Sequence, residues 1–374
     1  MTGRFLVRRL LAGIVQIVLI TLVAWSLFFV LASATGAGPA ERIAGKAATA
    51  EQVRAIAHRL GTDAPYPLQY ARFLGRLARG DLGYSYVQRR PVADIVFPAA
   101  GATASLVGVG AFLWLLLAIP LGTIAALRPR SATDRLLMGA SLVGMSVPSF
   151  WLAPLASFYL AFQPTQGSLL GIDLGGPHTF FPITGYDSLR DDPASWLHHL
   201  ILPAAVLAAG FAAVYARFVR ALTMEQLVED YVRTATAKGA SRVRVVGWHV
   251  GRNVAPVIVT LLGVDIGTAL AGVLFVEQVY AIPGLGNVGL TSIQQLDYPL
   301  TLGVIVFAAV VAVVANAVVD IAQGLLDPRT IRELAAELRN VGQAVVEGDK
   351  SMAARHHAEA KSAGVGGSGR STSL

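Results

Sequence analysis

The sequence predicts an all-α integral membrane protein with about six transmembrane helices. Apolar residues make up 54% of the 374 residues and charged residues only 14%, against roughly 25% charged in an ordinary soluble domain. The mean hydropathy is +0.59. The charges are also unevenly placed and leave six stretches long enough to cross a bilayer, since about 20 apolar residues span the ~30 Å hydrocarbon core. These values exclude a disordered chain, a basic nucleic-acid module and a typical soluble enzyme as first readings. No cysteine is present, which removes disulfides, thiolate metal sites and a cysteine nucleophile.

The first stretch runs from about Leu10 to Ala32. Arginines precede it and Ala32-Ser33-Ala34 follows, which imitates a secretory signal. Its apolar run exceeds the 7–15 residues of such a signal, so it is expected to stay as a span. The second lies near Ala102–Leu127, within a charge-free run from Ile95. The third is Leu136–Phe162, and the fourth is His199–Ala216, ending before Arg217 and Arg220. The fifth, Pro256–Glu277, contains Asp265. The sixth, Tyr298–Val319, is closed by Asp320.

Orientation follows from the loops. With the N-terminus inside, the inner segments carry Arg4, Arg8, Arg9, Arg128, Arg130, Arg135, Arg217, Arg220, Arg233, Lys238, Arg242, Arg244 and Arg252. The two short outer loops carry only Arg190. This asymmetry fits the positive-inside rule and places both termini in the cytoplasm. The net charge of +7 and pI of about 9.9 therefore read as topology, with no nucleic-acid partner.

The expected organisation is a transmembrane domain over 1–330 and a cytoplasmic tail over 331–374. Within the domain, 33–98 forms a long extracytoplasmic loop. Thr49 and Gln52 make a capping box before a helix carrying Val53, Ile56 and Leu60, which Gly61 ends. Pro67 opens a second helix with Tyr70, Phe73, Leu74 and Leu77 on one stripe. These two helices read as a small external cap packed on the bundle, or as a docking surface for an extracytoplasmic partner. In the tail, Ile331, Leu334, Ala335 and Leu338 suggest one short amphipathic helix, and the segment from Gly348 reads as disordered.

Few motifs carry chemistry. Gly284-Leu285-Gly286-Asn287-Val288-Gly289 matches G-x-G-x-x-G, but it lies between two spans rather than in a strand–helix unit and reads as a glycine turn. No P-loop motif is present, so the chain is not expected to bind ATP itself. His198-His199 and His356-His357 are adjacent pairs that diverge on a helix, and no metal site is read from them. Gly263 and Gly267 in span five suggest close helix packing, within the chain or against a partner. No Ser/His/Asp set stands out as a nucleophilic triad, and a helical membrane protein holds many such residues by chance.

A carboxylate at mid-bilayer costs roughly 2.5–3.5 kcal/mol on insertion scales. Asp265 is therefore expected to face the bundle interior or a wet cavity, as a lining residue of a pathway or as a structural contact. Asn316, Asp320 and Gln323 form a polar stripe at the inner end of span six. Asp320 is expected to pair with Arg217 or Arg220. A proton- or ion-coupled secondary transporter using Asp265 and Asp320 is the alternative, against which stands the lack of inverted repeats.

The inner loop 224–255 is the longest cytoplasmic link. Its alanines and charges favour a short helix up to Lys238, which Gly239 breaks with a left-handed turn. A second helix then leads into span five.

Here the sequence resembles a known family. Asp230-Tyr231-Val232-Arg233-Thr234-Ala235, then Ala237-Lys238-Gly239, is similar to the cytoplasmic signature of importer permeases of the ATP-binding-cassette class. The likeness is to the dipeptide/oligopeptide/nickel branch, first-permease type, with its importer-permease fold. Supporting blocks follow in order over roughly 1–330: Gly80-Asp81-Leu82-Gly83-Tyr84-Ser85 with Pro91-Val92; Ser146-Val147-Pro148-Ser149-Phe150-Trp151; Phe181-Pro182 with Gly185-Tyr186; and Leu202-Pro203-Ala204. Later come Val276-Glu277-Gln278-Val279-Tyr280, Pro283-Gly284-Leu285-Gly286, Asp297-Tyr298-Pro299 and Leu326-Asp327-Pro328-Arg329. The departures are Thr236 in place of a basic residue, an early Pro256, Asp265 among neutral positions, and the tail.

The resemblance implies an ATP-driven, binding-protein-dependent importer of di- or oligopeptides in the cytoplasmic membrane of a prokaryote. It implies a second homologous permease, two ATPase subunits that hold ATP and magnesium, and an extracytoplasmic substrate-binding protein. It places Asp230, Tyr231, Arg233, Thr234, Ala235, Ala237, Lys238 and Gly239 on an ATPase-coupling helix and its turn. Asp265, Asn316 and Asp320 are the candidate pathway residues, and no cofactor is assigned to this chain.

Overall fold

The computed structural model describes residues 3–35, 40, 44–45, 48–60 and 63–326. The tail helix expected at 331–338, the disordered segment and the Gly61 cap lie outside the described residues. Contacts divide the chain into a main body, Thr2–Asp320, and a second unit of Met1 with Ile321–Leu374, whose described part is the end of the last helix.

Eleven helices are named here. They are α1 Gly3–Thr35, α2 Ala50–Leu60, α3 Tyr66–Leu77, α4 Ala93–Leu127, α5 Ala132–Ser146 and α6 Ser149–Ala156. After a two-residue-stranded hairpin, Ser168–Leu169 against Ile172–Asp173, come α7 Pro193–Leu227 and α8 Asp230–Ala237. α9 Gly251–Tyr280, α10 Leu285–Gln294 and α11 Tyr298–Leu326 complete the order.

Among the described residues five helical runs are long and apolar enough to cross a membrane: α1, α4, α7, the run Arg242–Ala269 and α11. The third expected span is not one straight helix. α5 and the run Ser149–Thr165 meet at 98°. Pro148 lacks an amide hydrogen and pushes Val147 out of the helical region, to φ −90°, ψ 113°. Counting this pair as one broken span gives six, and a second bent pair, Gly272–Tyr280 with Leu285–Gln294 at 84°, brings the count to seven, a range that includes the expected six. α6 then widens into a π-helical turn, Ser157–Phe162, just beyond Pro154.

α4 and α7 form the most extensive helix pairing and the centre of the core. Small residues let them approach closely: Ala118, Ala204, Ala208, Ala212 and Ala216 are all buried. Trp114 is fully buried, its ring 4.6 Å from Phe211 and 6.0 Å from Tyr215. α5, α6 and α9 flank this pair. The capping box before α2 forms as expected: Gln52 Oε1 accepts from the Thr49 amide at 2.9 Å, and Thr49 Oγ1 accepts from the Gln52 amide at 3.3 Å. Pro67 stands in the first turn of α3.

Candidate functional site

The inner loop folds as a rigid elbow. α7 continues past span four to Leu227, and the chain turns at Val228–Glu229 into α8. The two buried residues of α8, Val232 and Ala235, face the bundle and join its core with Val245 and Val250. Thr234 and Thr236 return their hydroxyls to the carbonyls of Asp230 and Val232 at 2.9 Å. Arg233 and Asp230 pair at 3.4 Å while both stay largely exposed, so this pair contributes little. Tyr231 is half-buried and donates to Gln226 Oε1 at 2.8 Å.

The turn after α8 is a complete Schellman closure. The Gly239 amide donates to the Thr236 carbonyl at 3.0 Å and the Ala240 amide to the Ala235 carbonyl at 3.1 Å. It requires φ +82° at Gly239, which side-chain-bearing residues resist. Ser241 then caps the next segment by accepting from the Arg244 amide. The helical path Arg242–Arg244 and Val245–Val250 runs without a break into α9. Of the expected coupling residues, Asp230, Arg233, Thr234, Ala237, Lys238 and Gly239 lie on the exposed face, while Ala235 faces inward.

The base of the elbow is stapled to α5. Arg220 of α7 grips Asp134 with two bonds, Nε to Oδ1 at 2.6 Å and Nη2 to Oδ2 at 2.8 Å. The carboxylate is nearly fully enclosed, and the Arg130 and Ser131 positions complete the cap around Asp134. Arg220 thus has Asp134 as its partner, and the expected pairing of Asp320 with Arg217 or Arg220 falls on a side chain outside the described residues. Arg217 reaches Met145 Sδ. Arg220→Lys keeps the charge but loses the two-pronged grip. It is expected to lower the thermal unfolding midpoint of the solubilised protein, read by intrinsic tryptophan fluorescence.

At the opposite end, two carboxylates that the sequence reading left without a role organise the structure. Glu277 is fully buried at the end of span five. It accepts from Thr103 Oγ1 of α4 at 2.6 Å and from the Asn287 amide at 2.9 Å. The Thr103 hydroxyl oxygen in turn accepts from the Leu285 amide at 2.8 Å. The G-x-G-x-x-G stretch wraps this carboxylate, and it does not simply turn: Gly284 caps α10, which bends 84° from the preceding helix. A Cβ at Gly284 would fall inside the Glu277 carboxyl group, and one at Gly286 would lie 2.7 Å from Leu274 Cα. A carboxylate among the first amides of a helix is also the favoured anion position.

Asp297, also fully buried, does the same for the outer loop. It accepts from the Ser85 hydroxyl and from the amides of Val87, at 3.3 Å, and Tyr86, at 3.4 Å. The sequence blocks around Asp81–Ser85 and Asp297–Pro299 thus fold onto one another. Likewise Gly185, from the block before span four, donates its amide to the Tyr280 carbonyl at 2.9 Å.

Within the spans, Tyr215 is fully buried and donates to Asp265 Oδ2 at 2.7 Å. Asp265 is half-buried, and its other oxygen has no hydrogen-bond partner among the described residues. Gly267 has open space where a Cβ would stand, so it makes no close packing among the described residues. The side chains of Asn316, Asp320 and Gln323 lie outside the described residues. His198 and His199 diverge: His198 Nε2 meets the Phe180 carbonyl at 2.9 Å, and His199 Nδ1 lies 3.3 Å from Asp187 Oδ2. Among the described residues no group of three metal-ligating side chains forms.

Two family models cover this architecture. Residues 118–332 match the binding-protein-dependent transport system inner membrane component, and residues 2–107 match the N-terminal part of the same membrane component. The chain belongs to this family. It is a multi-pass inner-membrane permease, a transporter membrane subunit rather than an ion-coupled carrier. The permease is 32% identical over 327 residues to "Probable peptide ABC transporter permease protein y4tP" of Sinorhizobium fredii, covering 87% of this chain and 99% of that protein. It is 32% identical over 328 residues to the oligopeptide transport system permease protein AppB of Bacillus subtilis, covering 87% and 98%. The matched region of the permease contains the elbow, the staple and both buried carboxylates. Glu277 and Asp297 carried a signal in the sequence: each is an acid at the edge of an apolar stretch inside a quoted block.

Proposed function

We propose that the permease is one of two homologous membrane subunits of an importer that carries di- or oligopeptides inward. Family membership is the observation that carries this reading, and the names of y4tP and AppB support peptide as the cargo. An extracytoplasmic binding protein delivers the peptide. Two ATPase subunits bind ATP and magnesium on the cytoplasmic face. The exposed side of α8, with Asp230, Arg233, Thr234, Ala237 and Lys238 beside the Gly239 turn, seats in a groove of one ATPase. Closure of the ATPases on ATP draws the elbow along, and the unbroken helical path from Arg242 into α9 passes the movement to the spans. A shift from 1:99 to 99:1 in a two-state equilibrium takes about 5.5 kcal/mol. A packed, shape-fixed knob meets that demand better than exposed ion pairs.

Asp265, with Asn316 and Asp320, lines the path on this reading. Asp265 holds one oxygen on Tyr215 and leaves the other for the ammonium group of a passing peptide. Reconstituted vesicles with the partner subunits test both parts. Uptake of a labelled tripeptide is expected to need ATP and the binding protein, and to survive collapse of the ion gradient. Uptake that follows the gradient in the absence of ATP would overturn the importer reading. Asp265→Asn is expected to raise the KM or lower the rate for that peptide. If both stay unchanged, Asp265 is structural.

A further inference from the structure

Helix α3 ties itself to a part of α1 that belongs in lipid. Tyr70 donates to the Val18 carbonyl at 3.0 Å and meets Thr21 Oγ1 at 3.0 Å. Tyr66 and Ser26 share a hydrogen bond of 2.5 Å. Phe73 is buried, its ring 4.9 Å from that of Trp25. All four α1 partners fall inside the apolar window Leu11–Phe28. On the same turns of α1, Leu19, Val23 and Leu27 are exposed at 55%, 68% and 63%, a row suited to acyl chains and not to water.

The Phe28 ring lies 5.4 Å from Tyr298, the first residue of α11. Val18 is ten residues from Phe28 toward the N-terminus, about 15 Å along the axis of α1. α3 thus packs along the flank of α1 as well as near its end.

The outward surface of α3 is divided in two. Pro67, Leu68, Ala71 and Gly75 form an exposed apolar strip, with Leu68 at 45%. Arg72 and Arg76, one turn apart, and Arg79 just beyond the helix are exposed on the adjoining side. Among the described residues none of these arginines pairs with a carboxylate. An amphipathic helix lying in the interface buries its apolar side about 5–10 Å deep and keeps basic residues at headgroup level. We propose that α3 lies in the membrane interface on the side away from the N-terminal arginines, its Pro67–Gly75 strip in lipid and Arg72, Arg76 and Arg79 on the phosphates of acidic phospholipids.

The chain has no native cysteine, so Leu68→Cys carries a single nitroxide. The full chain is reconstituted in vesicles of phosphatidylcholine and phosphatidylglycerol, and collisions with oxygen and with a water-soluble nickel chelate are compared. Leu170→Cys, in the exposed hairpin turn, is the aqueous control. The oxygen-to-nickel ratio at position 68 is expected to exceed the control several-fold. Equal ratios would overturn the placement and leave α3 to a soluble partner. The arginines are tested by replacing Arg72, Arg76 and Arg79 together with glutamine. The unchanged protein is expected to unfold at a higher temperature when phosphatidylglycerol is present than in phosphatidylcholine alone, and the triple variant to lose that gain. A gain kept by the triple variant, or reproduced by inorganic phosphate in phosphatidylcholine vesicles, would overturn the headgroup assignment.

Discussion

Gly239→Val is expected to abolish ATP-driven uptake while the permease still folds and assembles. Gly239 sits at φ +82° and has open space around it, so the substitution produces no clash. Its effect is conformational. Left-handed backbone costs an L-residue about 1–2 kcal/mol, and β-branched residues are genuine outliers there. The chain relieves the strain by giving up the Schellman closure, in which the Gly239 and Ala240 amides hold the Thr236 and Ala235 carbonyls. α8 then meets the path into α9 at another angle. The buried core, anchored on α4 and α7, is untouched. Gly239→Asn is the matched control, because asparagine tolerates this region, and it is expected to keep most of the uptake. The measurement is ATP-dependent peptide uptake in vesicles, normalised to assembled complex. Uptake by the valine variant at the unchanged rate would remove Gly239 from the coupling device.

Gly284→Ala is expected to destabilise the permease by about 1–3 kcal/mol, the usual cost of overpacking. The added methyl group collides with the Glu277 carboxylate. That carboxylate has nowhere to go, since Thr103 Oγ1 and the Asn287 amide hold it at 2.6 and 2.9 Å. If it moves, the Leu285 amide also loses its partner on Thr103, and buried groups left unpaired add to the cost. Glu277→Asp shortens the side chain by one methylene and makes room. The double variant is therefore expected to be less destabilised than the sum of the two single changes, the mark of direct contact. Thermal unfolding of the solubilised protein reads all three. An unchanged midpoint for Gly284→Ala, or strict additivity, would refute the cradle.

Much of this was legible in the sequence, for identifiable reasons. Spans announce themselves through missing charge, and a glycine after alanines and charges marks a helix end, so the break at Gly239 was readable, while the extension of α7 to Leu227 was not. The family resemblance and the family match cover nearly the same stretch. What stayed hidden depends on contacts between distant residues. The Pro148 bend was absorbed into an apolar run, because hydropathy is blind to backbone direction. Glu277 counted only as the edge of span five, since its partners Thr103 and Asn287 belong to other elements. Asp134 went unremarked as a partner for Arg220, because the two lie 86 residues apart in the chain. The contact of α3 with α1 was also invisible. Its arginines suggest a watery loop, and only the Tyr70–Val18 bond reveals how far along span one it reaches.

That the 230–239 elbow delivers the work of ATP hydrolysis is tested most directly by a crosslink. Thr234 is exposed on α8, and Thr234→Cys bears a photo-reactive benzophenone on an otherwise cysteine-free chain. In the complex purified from native membranes, irradiation is expected to join this chain to a P-loop ATPase, with a yield that changes on adding ATP. Leu170→Cys, on the hairpin between spans three and four, is expected to give no such product. An intact complex that yields no ATPase adduct from position 234, or equal adducts from both positions, would contradict the coupling role of the elbow.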